Sequence, residues 1–115
     1  MTIEAYDELP DGIQDAVPRP SGDEEFLIAV ELPSGINPTS DAALVVTNER
    51  LVEVETGMMS EETDSVRLER LSTVDYSGGL RKGTVKIDGW HGDEKEYKLS
   101  KGTAKDLRDE LRRFV

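Results

Sequence analysis

The chain has no cysteine in 115 residues. Disulfides, thiolate metal sites and thiol catalysis are therefore excluded. Histidine is equally scarce: His91 is the only one, and Trp90 beside it is the only tryptophan. No stretch approaches the ~20 apolar residues of a membrane-spanning helix. The opening residues, MTIEAYDEL, lack the basic and then apolar plan of a secretion signal, so a soluble cytoplasmic protein is expected. Positive charge is missing from one half in particular. Residues 1–64 hold only Arg19 and Arg50 as basic groups against 16 acids, for a charge of −14. Residues 65–115 hold 12 basic and 9 acidic residues, for +3, which leaves the chain at −11. Such a surface repels nucleic acid, whose affinity for proteins comes largely from phosphate neutralisation. It repels itself as well, and molar salt screens that repulsion by shortening the Debye length to ~3 Å. The composition therefore fits a halophilic, salt-rich cytoplasm.

The hydrophobic share, 36%, is low and predicts a small core under a charged surface. Leu9, Ile13, Ala16 and Val17 follow helical spacing, with Asp7 as a cap and Pro10 in the first turn. PRPSGDEE, residues 18–25, has the composition of a linker. The predicted organisation is a short helix and linker over 1–23, then one domain over 24–115.

From Phe26 the apolar period shortens to that of strands. FLIAVEL (26–32) is followed by a turn-rich loop and then by LVVTNERLVEVETG (44–57). Pairing across Asn48-Glu49 sets Val46 against Leu51 and Val45 against Val52. Ala43, Val45, Val52 and Val54 then share one face, and Leu44, Val46 and Leu51 share the other, beside Glu53 and Glu55. This predicts a hairpin half-buried on one side and partly apolar on the other. SVRL, TVDYS, TVKID and EKEYKLS complete seven strands in close succession. Their turns leave no room for crossover helices, so the sheet is antiparallel and curved. A last helix follows, with Thr103 and Asp106 spaced as a capping box and Ala104, Leu107, Leu111 and Phe114 or Val115 on one side.

This ordered series resembles the prokaryotic PH-like domains. Thr47, Arg50 and Leu51 stand where those domains carry a threonine, a short polar turn and Arg-Leu. Leu68-x-x-Leu71-x-x-Val74 matches their Leu-x-x-Ile-x-x-Val step, and ELPDGIQDAV looks like the short helix that precedes some members. The likeness spans about residues 24–115. It implies a seven-stranded antiparallel barrel or orthogonal sandwich, mainly β, capped by the C-terminal helix. It also implies a binding or assembly module without catalytic activity or cofactor, and some members form ring-like oligomers.

The remaining chemistry points the same way. Gly78 and Gly83 have phosphate-loop spacing, but Lys82 precedes the second glycine and the context is a hairpin. His91, flanked by Asp88 and Asp93, is a weak metal set, and a solvated turn is expected instead. No nucleophile and base can be assembled around it. The strand–loop–strand that binds lipid headgroups in PH domains, residues 26–46, holds no basic residue here and two acids, Glu31 and Asp41. The function expected is therefore self-association or docking of another protein, with lipid-headgroup or small-ligand binding as the alternative. Leu44, Val46, Leu51, Met58, Met59 and Trp90 are the candidate interface residues, and Trp90 can equally close the barrel end. Thr47 and Arg50 are assigned to the turn.

Overall fold

In the computed structural model, which describes residues 2–32, 41–57 and 61–115, the alternating segments form strands. The chain runs β1 (Thr2–Ile3), α1 (Asp11–Ala16), β2 (Phe26–Glu31), β3 (Asp41–Thr47), β4 (Arg50–Thr56) and β5 (Glu61–Arg67). It continues through β6 (Thr73–Gly78), β7 (Lys82–Trp90), β8 (Asp93–Ser100) and α2 (Lys101–Leu111). Every pairing is antiparallel. The strands make a sheet in the order β1-β2-β3-β4-β5 and a second in the order β6-β7-β8.

Of the expected seven-stranded barrel or orthogonal sandwich, the closed barrel is corrected, while the mainly β class with a C-terminal helix holds. Among the described residues there are eight strands, and the two sheets do not join into one ladder. The break falls after β5, where Leu68–Arg70 forms a 3-10 turn that drops Leu68 into the core. Leu71 is buried just beyond it, so this crossover packs as a corner between the sheets. The eighth strand, β1, pairs Thr2 with Val30 and Ile3 with Ala29, and is too short to leave a periodic pattern.

The predicted hairpin register holds, with Val46 opposite Leu51 and Val45 opposite Val52. Its burial goes further than the half-buried face and partly apolar second face expected of it. Leu44, Val46 and Leu51 face the second sheet, joining Val85, Ile87, Trp90 and Leu99 in a core with Leu107 and Leu111 of α2. Ala43, Val45, Val52 and Val54 face the other way and are covered by Ile3, Tyr6, Leu9, Ile13 and Val17. The N-terminal segment therefore seals the outer face of the first sheet. The Tyr6 hydroxyl ties its two ends together by donating to the Val17 carbonyl at 2.6 Å. Asp7 does not cap α1: it lies in a 3-10 turn over Tyr6–Glu8, and the helix starts after Pro10 with no side-chain cap.

At the other end, β8 runs directly into α2, so Ser100 takes the N-cap position. The capping box expected of Thr103 and Asp106 is absent. Thr103 is buried and accepts a hydrogen bond from the Ser100 hydroxyl at 2.8 Å, while Asp106 accepts one from Thr2 at 2.7 Å. The helix ends at Leu111, which leaves Phe114 and Val115 each 38% exposed, not on the buried stripe expected of them. α2 lies against β6, β7 and β8 and reaches β2, bridging the two sheets at one end. Gly83 permits that approach: a Cβ there would sit 2.7 Å from the Ala104 Cβ and 2.8 Å from the Tyr76 ring.

Candidate functional site

Period-two alternation along β4 puts Leu51, Glu53 and Glu55 on the face toward the second sheet. Neighbouring strands extend the same gradient. Leu51 pairs with Val66, Glu53 with Asp64 and Glu55 with Glu62, all on β5. The shared interior is thus apolar near α2 and acidic at the opposite end. There the sheets part around a cleft of about 650 Å³. Leu32 and Ala42 form apolar wall, the carboxylates of Glu53, Glu55, Glu62 and Asp64 line it, and Lys95 of β8 is its cation.

Two of those carboxylates are committed within the chain. Glu53 accepts a 2.6 Å bond from the Lys95 ammonium, which sits 5.0 Å above the Trp90 ring. Asp64 accepts from the Trp90 indole N–H at 2.9 Å and lies 2.9 Å from His91 Nε2. The Trp90 bond is the main reason the Asp64 carboxyl is held below its ordinary value. Burial opposes that effect, and His91 and Lys95 reinforce it. Glu55, Glu61 and Glu62 have no ion pair among the described residues. Behind Glu53, the Tyr97 hydroxyl is buried with no hydrogen-bond partner among the described residues. Burial, and next the Glu53 charge, raise this phenol above its usual range. The arrangement attracts cations.

The Asp64 environment has a measurable pH consequence. A carboxyl whose folded-state pKa is depressed contributes stability that is present above its unfolded value and lost as pH falls through the folded one. Asp64 should titrate below 3.8 by carboxyl-carbon NMR. Between that reference value and its lowered midpoint, the wild type should lose stability more steeply than Asp64→Asn in urea unfolding. Parallel curves through that window would remove the assignment.

The turn between β3 and β4 is built as a network. The Thr47 hydroxyl oxygen accepts from the backbone N–H of Glu49 at 3.1 Å and of Arg50 at 3.0 Å, and donates to Glu24 at 2.8 Å. Arg50 grips the same carboxylate, with Nε at 2.8 Å and Nη2 at 3.3 Å. Asn48 accepts from the Glu25 N–H at 2.8 Å and donates to the Asp23 carbonyl at 2.9 Å. The sequence reading assigned Thr47 and Arg50 to this turn but missed Glu24 and Asn48, because residues 18–25 read as linker.

The interface candidates sit elsewhere than expected. Leu44, Val46 and Leu51 are 0% exposed and Trp90 is buried with them, because the second sheet and α2 cover that face. They are core residues and cannot supply an apolar contact to a partner. Met58 and Met59 lie outside the described residues. His91 occupies an exposed turn and meets Asp64 instead of Asp88 or Asp93. Among the described residues no group of three His, Cys, Asp or Glu side chains is placed to hold a metal ion. Gly78 and Gly83 pair across the β6–β7 hairpin and make room for Tyr76, whose hydroxyl would lie 2.7 Å from a Cβ on Gly78. Leu80, at the tip of that hairpin, is 99% exposed. A leucine in SGGLRKG with no strand partner was the signal for it. No helix among the described residues is long and apolar enough to cross a membrane.

Comparison with family models, with curated proteins and with solved structures finds no match to the chain.

Proposed function

We propose that the chain is a non-catalytic, PH-like interaction module of a salt-rich cytoplasm, whose docking surface is the acidic cleft between β5 and β8. The order of elements supports the PH-like reading: leaving the two-residue β1 aside, four strands precede three, and a helix follows that bridges the two sheets. The observation that carries the docking reading is the placement of Glu53, Glu55, Glu62 and Asp64 around one opening with a single lysine among them. The complementary ligand is an extended, basic stretch of polypeptide, since electrostatic complementarity steers encounter and rejects like-charged partners.

Titration with an arginine- and lysine-rich peptide tests this. Amide shifts should concentrate at Glu53, Glu55, Glu62 and Asp64, and Trp90 fluorescence should change. Binding should weaken with salt, disappear in Glu55→Lys/Glu62→Lys, and be missing for an acidic peptide of equal length. Shifts spread evenly over the surface would end the docking reading.

A second reading, binding of lipid headgroups, is favoured by the β6–β7 tip, where Leu80 is exposed beside Arg81 and Lys82. Each basic residue at an anionic membrane contributes ~1 kcal/mol. Flotation with phosphatidylserine vesicles, lost on Leu80→Asp, is its test.

A further inference from the structure

The tip and the cleft are unlike in every respect that matters for recognition. Leu80 is 99% exposed, a rare position for a leucine that nothing in its own chain covers. Arg81 and Lys82 follow it. Lys101 sits alongside, its backbone N–H donating to the Arg81 carbonyl at 3.3 Å. None of these three cations forms an ion pair among the described residues. The tip is thus a locally basic, apolar projection from a protein of charge −11. The cleft has the reverse character: free carboxylates at Glu55, Glu61 and Glu62, and apolar wall at Leu32 and Ala42. Its volume lies within the ~300–1,000 Å³ typical of clefts that enclose a ligand.

Tip and cleft meet different stretches of β8: Lys82 at the tip pairs with Ser100, whereas Lys95 of the cleft pairs with Ile87, about 17 Å further along at ~3.3 Å per residue. A tip therefore cannot fill its own cleft. We propose that the occupant of the cleft is the β6–β7 tip of a second copy of this chain. Leu80 inserts against Leu32 and Ala42, and Arg81 and Lys82 meet Glu55, Glu61 and Glu62. The contact uses a different surface on each partner, so it is heterologous and propagates until a ring closes or a filament grows. The inference rests on the docking reading of the cleft, and names its partner.

Sedimentation of the full chain from about 0.1 M to about 1 M salt, over which the Debye length falls from about 10 Å to about 3 Å and the net self-repulsion is screened, is the test. Wild type should associate with increasing concentration. A tip variant, Leu80→Asp/Arg81→Glu, and a cleft variant, Glu55→Lys/Glu62→Lys, should each associate roughly 10- to 100-fold more weakly, the range expected for losing one buried leucine. Mixed together, they should form a 1:1 dimer and stop there, because only one intact tip and one intact cleft remain. Circular dichroism establishes that both variants fold; where the double variant does not, Leu80→Ser and Glu62→Gln replace them. A wild type that stays monomeric, or a mixture that yields no dimer, overturns the inference. If the basic peptide still binds the cleft of that monomer, the docking reading survives and only the partner was wrong. If neither binds, both are lost. Flotation of the wild type with phosphatidylserine vesicles, without self-association, would assign the tip to lipid and likewise overturn it.

Discussion

A chain lacking residues 1–17 should no longer populate a soluble folded monomer. The expectation follows from what those residues cover. Ile3, Tyr6, Leu9, Ile13 and Val17 are all buried, and their contacts are with the outer face of the five-stranded sheet. Burying a side chain of this kind contributes ~1.5–3 kcal/mol, so five of them rival the ~5–15 kcal/mol by which a whole domain is stable. The deletion also bares Ala29, Ala43, Val45, Val52 and Val54 as one contiguous apolar surface. Surfaces of that kind drive association. Removing β1 further uncovers the edge of β2, a second template for aggregation. Gel filtration and urea unfolding would check this against the full chain. The shortened chain should elute as aggregate or unfold without a cooperative transition. A monomer with an unchanged urea midpoint would mean that the segment is a dispensable appendage. Single substitutions grade the effect: Ile13→Ala, at 0% exposure, should cost about 2–5 kcal/mol.

That integral role was not legible in the sequence. The helical spacing of Leu9, Ile13 and Val17 showed an apolar stripe, but nothing local says which surface a stripe will meet. The same limit explains the hairpin. Its register was legible, because Val45 and Val46 alternate against Leu51 and Val52 across a two-residue turn. The apolar pattern on both faces was legible too. What it implied, a strand pair with both sides covered, required knowing that Ile3 to Val17 would lie on one side and β7 with α2 on the other. The cleft divides in the same way. Glu53 and Glu55 could be placed beside Leu51 by parity alone. Their meeting with Asp64, Glu62 and Lys95 depends on β4–β5 pairing and on how the sheets face each other, which are contacts distant in sequence. Trp90 was ambiguous for a backbone reason. It follows Gly89, where the β7–β8 register shifts, and that shift decides which way the indole points.

Gly89→Ala should be the most damaging alanine substitution among the described glycines whose surroundings are known. Gly89 has φ of +99°, a conformation that L residues rarely adopt. Conformation alone is worth about 1 kcal/mol or slightly more. Crowding adds to it. A Cβ at this position would lie 2.6 Å from the Arg70 carbonyl oxygen, 2.9 Å from the Ser72 nitrogen and 3.0 Å from the Leu71 Cα. All three are backbone atoms of the crossover between the sheets, so no flexible side chain can swing aside. The crossover is itself pinned to β7 by the Ser72 N–H, which donates to the Asp88 carbonyl at 2.8 Å. Relief of the clash must stretch that bond, lift Leu68 and Leu71 from the core, or tilt Trp90 away from Asp64. Overpacking of this kind costs about 1–3 kcal/mol beyond the strain. At roughly 4–8 °C per kcal/mol, the melting temperature should fall by at least about 8 °C. Gly92 supplies the control, since it also has positive φ, at +87°, but a Cβ there meets nothing within 4 Å. Gly92→Ala should therefore show the conformational part alone. Thermal unfolding followed by Trp90 fluorescence separates the two, and equal shifts for both variants would mean that the crossover does not press on β7 as closely as these distances require.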